Sequence, residues 1–168
     1  MASQRGDIEK VLHKKNLIVA GVDEVGRGCI AGPVFAGAVI LTWEAIAKLP
    51  TQQKELLRDS KTLTLIQRKK MAEVVKLKAL AHGVGSADVA EIEGLGIVNA
   101  TFLAMHRAIA KLNHRIDYLL IDGNQPLPNF LGKQKAIIKG DNLCYCIAGA
   151  SIIAKTSRDN FKIGRAHV

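Results

Sequence analysis

The stretch that most constrains this chain is "NLIVAGVDEVGRGCIAGPVFAGAVIL" (16–41), in which two apolar runs flank a turn carrying Asp23, Glu24, Gly26, Arg27 and Gly28. The first run is expected to form a buried strand over 16–23. The second, "PVFAGAVIL" (33–41), is rich in small and β-branched residues and reads as another, so the two can form a hairpin. Adjacent residues on a regular strand point to opposite faces, so Asp23 and Glu24 share one site only if the strand bends there. Gly26 and Gly28 make such a bend easy.

Similar logic organises the rest of the chain. Thr64 and Gln67 have capping-box spacing and start a helix through "RKKMAEVVKLK". "ALAHGVGSA" (79–87) reads as a third strand. Between 97 and 113, Val98, Phe102, Met105, Ile109 and Leu112 recur at helical spacing, which predicts an amphipathic helix with Phe102 and Met105 in the core. "IDYLLID" (116–122) and "KAIIKGD" (135–141) read as strands ending in Asp122 and Asp141. From 143 to 161, Ala148, Gly149, Ala150, Ser151 and Ala154 suit a helix packed closely on a sheet. With 168 residues, 48% of them hydrophobic, the chain can bury one core, and the alternation of elements predicts an α/β sheet with helices on its faces.

Charge narrows the partner. Twenty-four basic and 15 acidic residues leave a formal charge of +9, which favours a polyanion, nucleic acid before a membrane surface. The N-terminal segment lacks an apolar h-region, and no apolar run approaches the roughly 18 residues of a membrane span. A cytoplasmic protein is expected. Cys29, Cys144 and Cys146 offer neither a disulfide framework nor a CxxC knuckle and read as core thiols in a reducing compartment.

Each acid has an ordinary explanation on its own. Asp122-Gly123 is turn chemistry, Asp141 before "NLCY" could cap a helix, and Asp23-Glu24 could be the solvated end of a strand. As a set they point further, because open α/β sheets gather ligand sites at strand ends. Carboxylates clustered there repel one another unless a cation offsets them, and Mg²⁺ or Mn²⁺, which prefer carboxylate oxygen, meet that need. His13, His82, His106, His114 and His167 are scattered without His-x₃-His spacing, which disfavours zinc.

The glycine loop admits two readings. "GRGCIA" matches G-x-G-x-x-A, a dinucleotide fingerprint with Glu44 as a distant ribose acid. That fingerprint needs a helix to begin at the loop, whereas Gly32-Pro33 and a β-branched run follow, and two carboxylates would repel a pyrophosphate. No G-K-[ST] supports a P-loop. In the other reading the bare peptide edge tests a ribose 2′-hydroxyl, which both donates and accepts, while Arg27 reaches a phosphate or base.

Together these blocks resemble the bacterial type 2 ribonuclease H family, ribonuclease HII. "AGVDEVGRG" with "AGPV", "DSK" (59–61), "IDGN" (121–124), and "KGD" followed by "IAGASIIAKTSRD" stand in the family's order across residues 16–162. The resemblance implies a ribonuclease H-like fold, a mixed central β-sheet flanked by α-helices. It also implies a divalent-metal endonuclease that cuts the RNA strand of RNA/DNA hybrids and the 5′ side of single ribonucleotides in duplex DNA. By matched position the metal-binding catalytic carboxylates fall on Asp23, Glu24, Asp122 and Asp141, with Asp23 bridging two Mn²⁺ or Mg²⁺ ions. The ribose-reading loop falls on Gly26, Arg27 and Gly28. Ser60 and Lys61 match a block near bound substrate and read otherwise as a polar loop before Thr64. Lys139, Lys155 and Arg158 could meet phosphates, a solvated helix face being the alternative for the last two, and Asp159 reads as a surface acid.

The family continues beyond "SRD" through a helical segment with a junction-recognising tyrosine, a role neither Tyr118 nor Tyr145 is placed to fill. One truncated catalytic domain is therefore expected over 1–162, acting as a monomer. Residues 163–168, "IGRAHV", match one frame of a common sequencing adapter and are expected to be a non-native tail. The competing function is a non-catalytic basic nucleic-acid-binding module. The carboxylate set argues against it, because acids weaken phosphate affinity unless metal offsets them.

Overall fold

A computed structural model describes residues 5–28, 32–58 and 61–166. Ser60, with Asp59 and Cys29, lies outside the described residues. The elements run α1 (Asp7–Lys14), β1 (Val19–Val25), β2 (Val34–Ile40), α2 (Trp43–Lys48), α3 (Thr51–Arg58), α4 (Leu65–Lys78), β3 (Ala81–Ala87), α5 (Val89–Leu95), α6 (Ile97–Ala110), β4 (Tyr118–Asp122), β5 (Lys133–Ile137), α7 (Gly140–Leu143) and α8 (Tyr145–Ala166).

The sheet order is β3-β2-β1-β4-β5. The β1 and β2 strands pair antiparallel, as do β2 and β3, whereas β4 joins β1 and β5 in parallel. This is the mixed α/β sheet expected from the alternation of elements. Its strands alternate faces along their length. On one face Ala20, Val22, Leu119 and Ile121 pack with Ala100, Ala104 and Met105 of α6. On the other, Val19 and Leu120 pack with Ile147 of α8, and Val39 and Leu41 meet Ile152, Ile153 and the Met71 and Val75 side chains of α4. Each fully buried aliphatic side chain contributes roughly 1.5–3 kcal/mol.

Helix α8 lies unusually close to the sheet. A Cβ on Gly21 would run into the backbone of Cys146 and Ile147, and one on Gly37 into the backbone of Ala150. The small residues 148–150 and 154 supply the matching surface from the helix side. Helix α4 begins as expected: the Thr64 hydroxyl accepts from Gln67 N at 3.3 Å, and the Gln67 side chain accepts from Thr64 N at 2.9 Å.

Three local expectations are corrected. The last strand ends at Ile137, not at Asp141, because Lys139 takes a left-handed φ of 56° and residues 140–143 turn into α7. Asp141 therefore lies within a short helix, whose N-cap is Lys139. Val98, part of the apolar stripe that marks this helix in the sequence, is 41% exposed, because it borders an open cleft at the start of α6. The third concerns β1, which stays in continuous register through Val25 and does not bend at Asp23 and Glu24.

Candidate active site

Because β1 stays regular, its two acids leave on opposite faces. Asp23 follows Val19 and Gly21 toward α8 and is 5% exposed. Glu24 follows Ala20 and Val22 toward α6 and borders a cleft with Arg27, Phe102, Asp122 and Asn124. The acids nevertheless belong to one neighbourhood, because the parallel neighbour β4 ends at Asp122 and no further strand residue separates the two faces.

Asp122 is held by the chain that follows β5. Its Oδ1 accepts from Gly140 N at 2.6 Å and lies 3.4 Å from Asp141 N. Asp141 is 1% exposed. Its Oδ2 faces Lys61 Nζ at 2.9 Å, while Oδ1 is buried with no hydrogen-bond partner.

The electrostatics are those of a crowded acid cluster. Burial, then the Asp122 charge, pushes the Asp23 carboxyl up to about 8, Glu24 adding to the rise, with Ser151 and Lys155 opposing it. The Ser151 hydroxyl is buried, directed at Asp23, and short of ordinary hydrogen-bond geometry with any partner. Burial likewise raises Glu24, against the Arg27 guanidinium 3.3 Å from its Oε1. Lys155 is pulled down by burial and up by Asp23 and Asp141, and Lys61 is raised chiefly by its bond to Asp141.

Among the described residues no group of three or more His, Cys, Asp or Glu side chains already stands in metal-holding geometry. The Lys61 ammonium rests against Asp141 instead. The donor set still fits a hard divalent cation. It is all carboxylate, it includes an unpartnered buried oxygen on Asp141, and it forces Asp23 toward neutrality, which a bound cation would reverse.

The glycine loop lies beside this cluster. Gly26 has φ 108°, and a Cβ there would come within 3.0 Å of Arg158 Nε and 3.2 Å of Pro33 O. A Cβ on Gly28 would meet nothing within 4 Å, so the peptide edge there borders open space. Strand β2, not a helix, follows the loop, which removes the dinucleotide reading. Arg158 is thus packed against Gly26, and Asp159 is paired with Arg68 at 2.6 Å. Ser151 was not singled out from the sequence, although a lone hydroxyl among buried small residues on one helix is the signal that could have found it.

A family model, ribonuclease HII, matches residues 20–167. The chain belongs to the ribonuclease HII family. Ribonuclease HII of Synechococcus elongatus is 53% identical over 141 residues, covering 84% of this chain and 64% of its own length. Ribonuclease HII of Bacteroides thetaiotaomicron is 46% identical over 155 residues, covering 91% of this chain and 72% of its own. The chain thus spans less than two thirds of the Synechococcus relative. Among solved structures, ribonuclease H2 of Pyrococcus horikoshii superposes with a TM-score of 0.72 at 25% identity, over 84% of this chain and 72% of that one. Bst-RNase HIII in complex with Mn²⁺ shares the fold, with a TM-score of 0.68 at 23% identity, over 84% of this chain and 51% of its own. The ribonuclease H-like fold expected from the sequence is the fold observed.

Proposed function

We propose that this chain carries the catalytic site of a metal-dependent endoribonuclease. Its substrates are the RNA strand of RNA/DNA hybrids and single ribonucleotides embedded in duplex DNA, cut on their 5′ side to leave 5′-phosphate and 3′-hydroxyl ends. The observation that carries the reading is the gathering of Asp23, Glu24 and Asp122 at the ends of β1 and β4 with Asp141 of α7 beside them, its Oδ1 buried and unpartnered. Family membership and the Mn²⁺ complex of Bst-RNase HIII support it.

Asp23, Glu24, Asp122 and Asp141 would hold one or two Mn²⁺ or Mg²⁺ ions. Bound there, the ions supply Lewis-acid stabilisation of the phosphodiester and an acidified water. The remaining work falls to the chain itself. The open peptide edge at Gly28 presents N–H and C=O groups to a ribose 2′-hydroxyl, and Gly26 keeps side chains from blocking that approach. Arg27 and Lys61, whose side chains are 48% and 60% exposed, meet substrate phosphates. The basic excess draws the duplex in. No helix among the described residues is long and apolar enough to cross a membrane; a cytoplasmic monomer is part of the same proposal.

The test is a labelled DNA duplex carrying one ribonucleotide, incubated with Mn²⁺ or Mg²⁺ beside an Asp23→Asn variant. Metal-dependent incision 5′ to the ribonucleotide, lost in the variant, is expected. Duplex binding without incision at any metal concentration would instead favour the non-catalytic basic module.

A further inference from the structure

The N-terminal helix lies outside residues 20–167, yet it grips the chain immediately after Asp141. Glu9 of α1 is 0% exposed. Its Oε2 accepts from Tyr145 N at 2.8 Å and its Oε1 from Cys146 N at 2.7 Å. Those amides open α8 and would otherwise be orphan donors. Gly6 N donates to Leu143 O at 2.8 Å, and Arg5 Nη1 to Asn142 O at 3.2 Å. The Arg5 guanidinium stands 4.7 Å over the Tyr145 ring, against which Gly6 packs so tightly that a Cβ would approach to 3.0 Å. Residues 142, 143, 145 and 146 are therefore each held from the N-terminal segment 5–9, at and just before the start of α1.

On the near side, Asp122 Oδ1 holds the amide of Gly140 and approaches that of Asp141. Asp141 thus sits between two carboxylates that fix its backbone, Asp122 before it and Glu9 after it. An ordinary helix cap comes from the residue just before the helix. This one comes from 136 positions away, so it ties the α7–α8 corner to the tertiary structure. Burying a carboxylate is costly unless its oxygens are hydrogen-bonded, and Glu9 commits both oxygens to this corner.

We infer that Glu9 is a positioning residue for Asp141: through the α7–α8 corner, α1 sets the direction in which the Asp141 carboxylate meets a divalent cation. The inference rests on the metal-site reading above. Partners that orient metal ligands typically change metal affinity by about 10–100-fold when removed.

The test is Mn²⁺ titration of the full chain without nucleic acid, followed by the electron paramagnetic resonance signal of free and bound Mn²⁺. Wild type, Glu9→Gln, Gly6→Ala and Asp141→Asn are compared at a temperature where circular dichroism shows each folded. Gln keeps one acceptor and turns an amide donor toward the helix amides, and Gly6→Ala disturbs the same corner through Tyr145 if Glu9→Gln fails to fold. Mn²⁺ affinity is expected to fall by at least about tenfold in Glu9→Gln or Gly6→Ala, with a changed bound-Mn²⁺ spectrum that a loss of stability alone would not produce. Unchanged affinity in these folded variants, while Asp141→Asn loses binding, overturns the positioning role and leaves the metal site standing. Unchanged affinity in Asp141→Asn overturns the metal site itself, and the positioning role with it.

Discussion

Lys61 Nζ lies 2.9 Å from Asp141 Oδ2, joining a side chain that is 60% exposed to one that is 1% exposed. The ammonium therefore reaches from solvent into the acid cluster, and its outer face stays available to a phosphate. Replacing it is expected to weaken duplex binding uniformly across sequences, not to alter base preference. In Lys61→Ala the slope of log affinity against log salt should flatten by about one. Binding isotherms at several salt concentrations check this, and an unchanged slope would place Lys61 in a purely internal ion pair.

Asp23 gives a pH signature of stability. Its folded carboxyl is raised to about 8, chiefly by burial, so the neutral form favours the native state. That contribution is whole below the unfolded carboxylate pKa and is lost as pH rises through about 8. Asp23→Asn stays neutral throughout. Without metal, the variant should melt close to wild type near about pH 4 and increasingly above it as pH rises to about 8–9, the gain being on the order of a few kcal/mol. Calorimetry across that range checks it; a gap that fails to widen with pH would contradict the assigned cause.

Divalent cations should reverse that penalty in the wild type. At about 100 times its dissociation constant a ligand specific to the native state adds about 2.7 kcal/mol, roughly 5–10 °C in melting temperature for a chain of this size. Mn²⁺ is expected to produce such a rise, diminishing as pH falls and protons compete for Asp23 and Glu24. Differential scanning fluorimetry with and without a chelator measures it. A rise that Asp141→Asn and Asp23→Asn both retain would put the cation elsewhere.

Gly37 marks where α8 meets the sheet backbone to backbone. A methyl group there would collide with the Ala150 carbonyl, with no flexible side chain to yield. Gly37→Ala should cost at least about 1–3 kcal/mol, visible as a lower urea midpoint with little change in slope. An unchanged midpoint would show that α8 can shift outward freely.

How much of this was legible in the sequence depended on distance along the chain. The Thr64 and Gln67 capping box is a three-residue interaction and was read correctly, as were the hairpin of β1 with β2 and the helix packed on the sheet. The carboxylates could be picked out because acids at the ends of apolar runs are conspicuous. The place of Asp141 was not, because α7 depends on Asp122 reaching back to the Gly140 amide from 18 residues away. Glu9 was invisible for the same reason: both its partners lie more than 130 residues on, and an acid in an N-terminal helix looks like surface. The expected bend at Asp23 failed instructively. Two acids on opposite faces of β1 still lie in one neighbourhood where the adjacent strand ends, an arrangement set by β4 and not by β1.

The unbroken register of β1 also bears on how such a chain can change by descent. Because side chains alternate every residue, inserting or deleting one residue between Val19 and Asp23 would exchange the two acids, sending Glu24 toward Ser151 and Asp23 toward Phe102. Substitutions in that run can be tolerated one at a time according to size, but its length cannot drift without rewriting the chemistry at its end. The spacing from Val19 to Asp23 therefore matters to the site as much as the identity of the aspartate does.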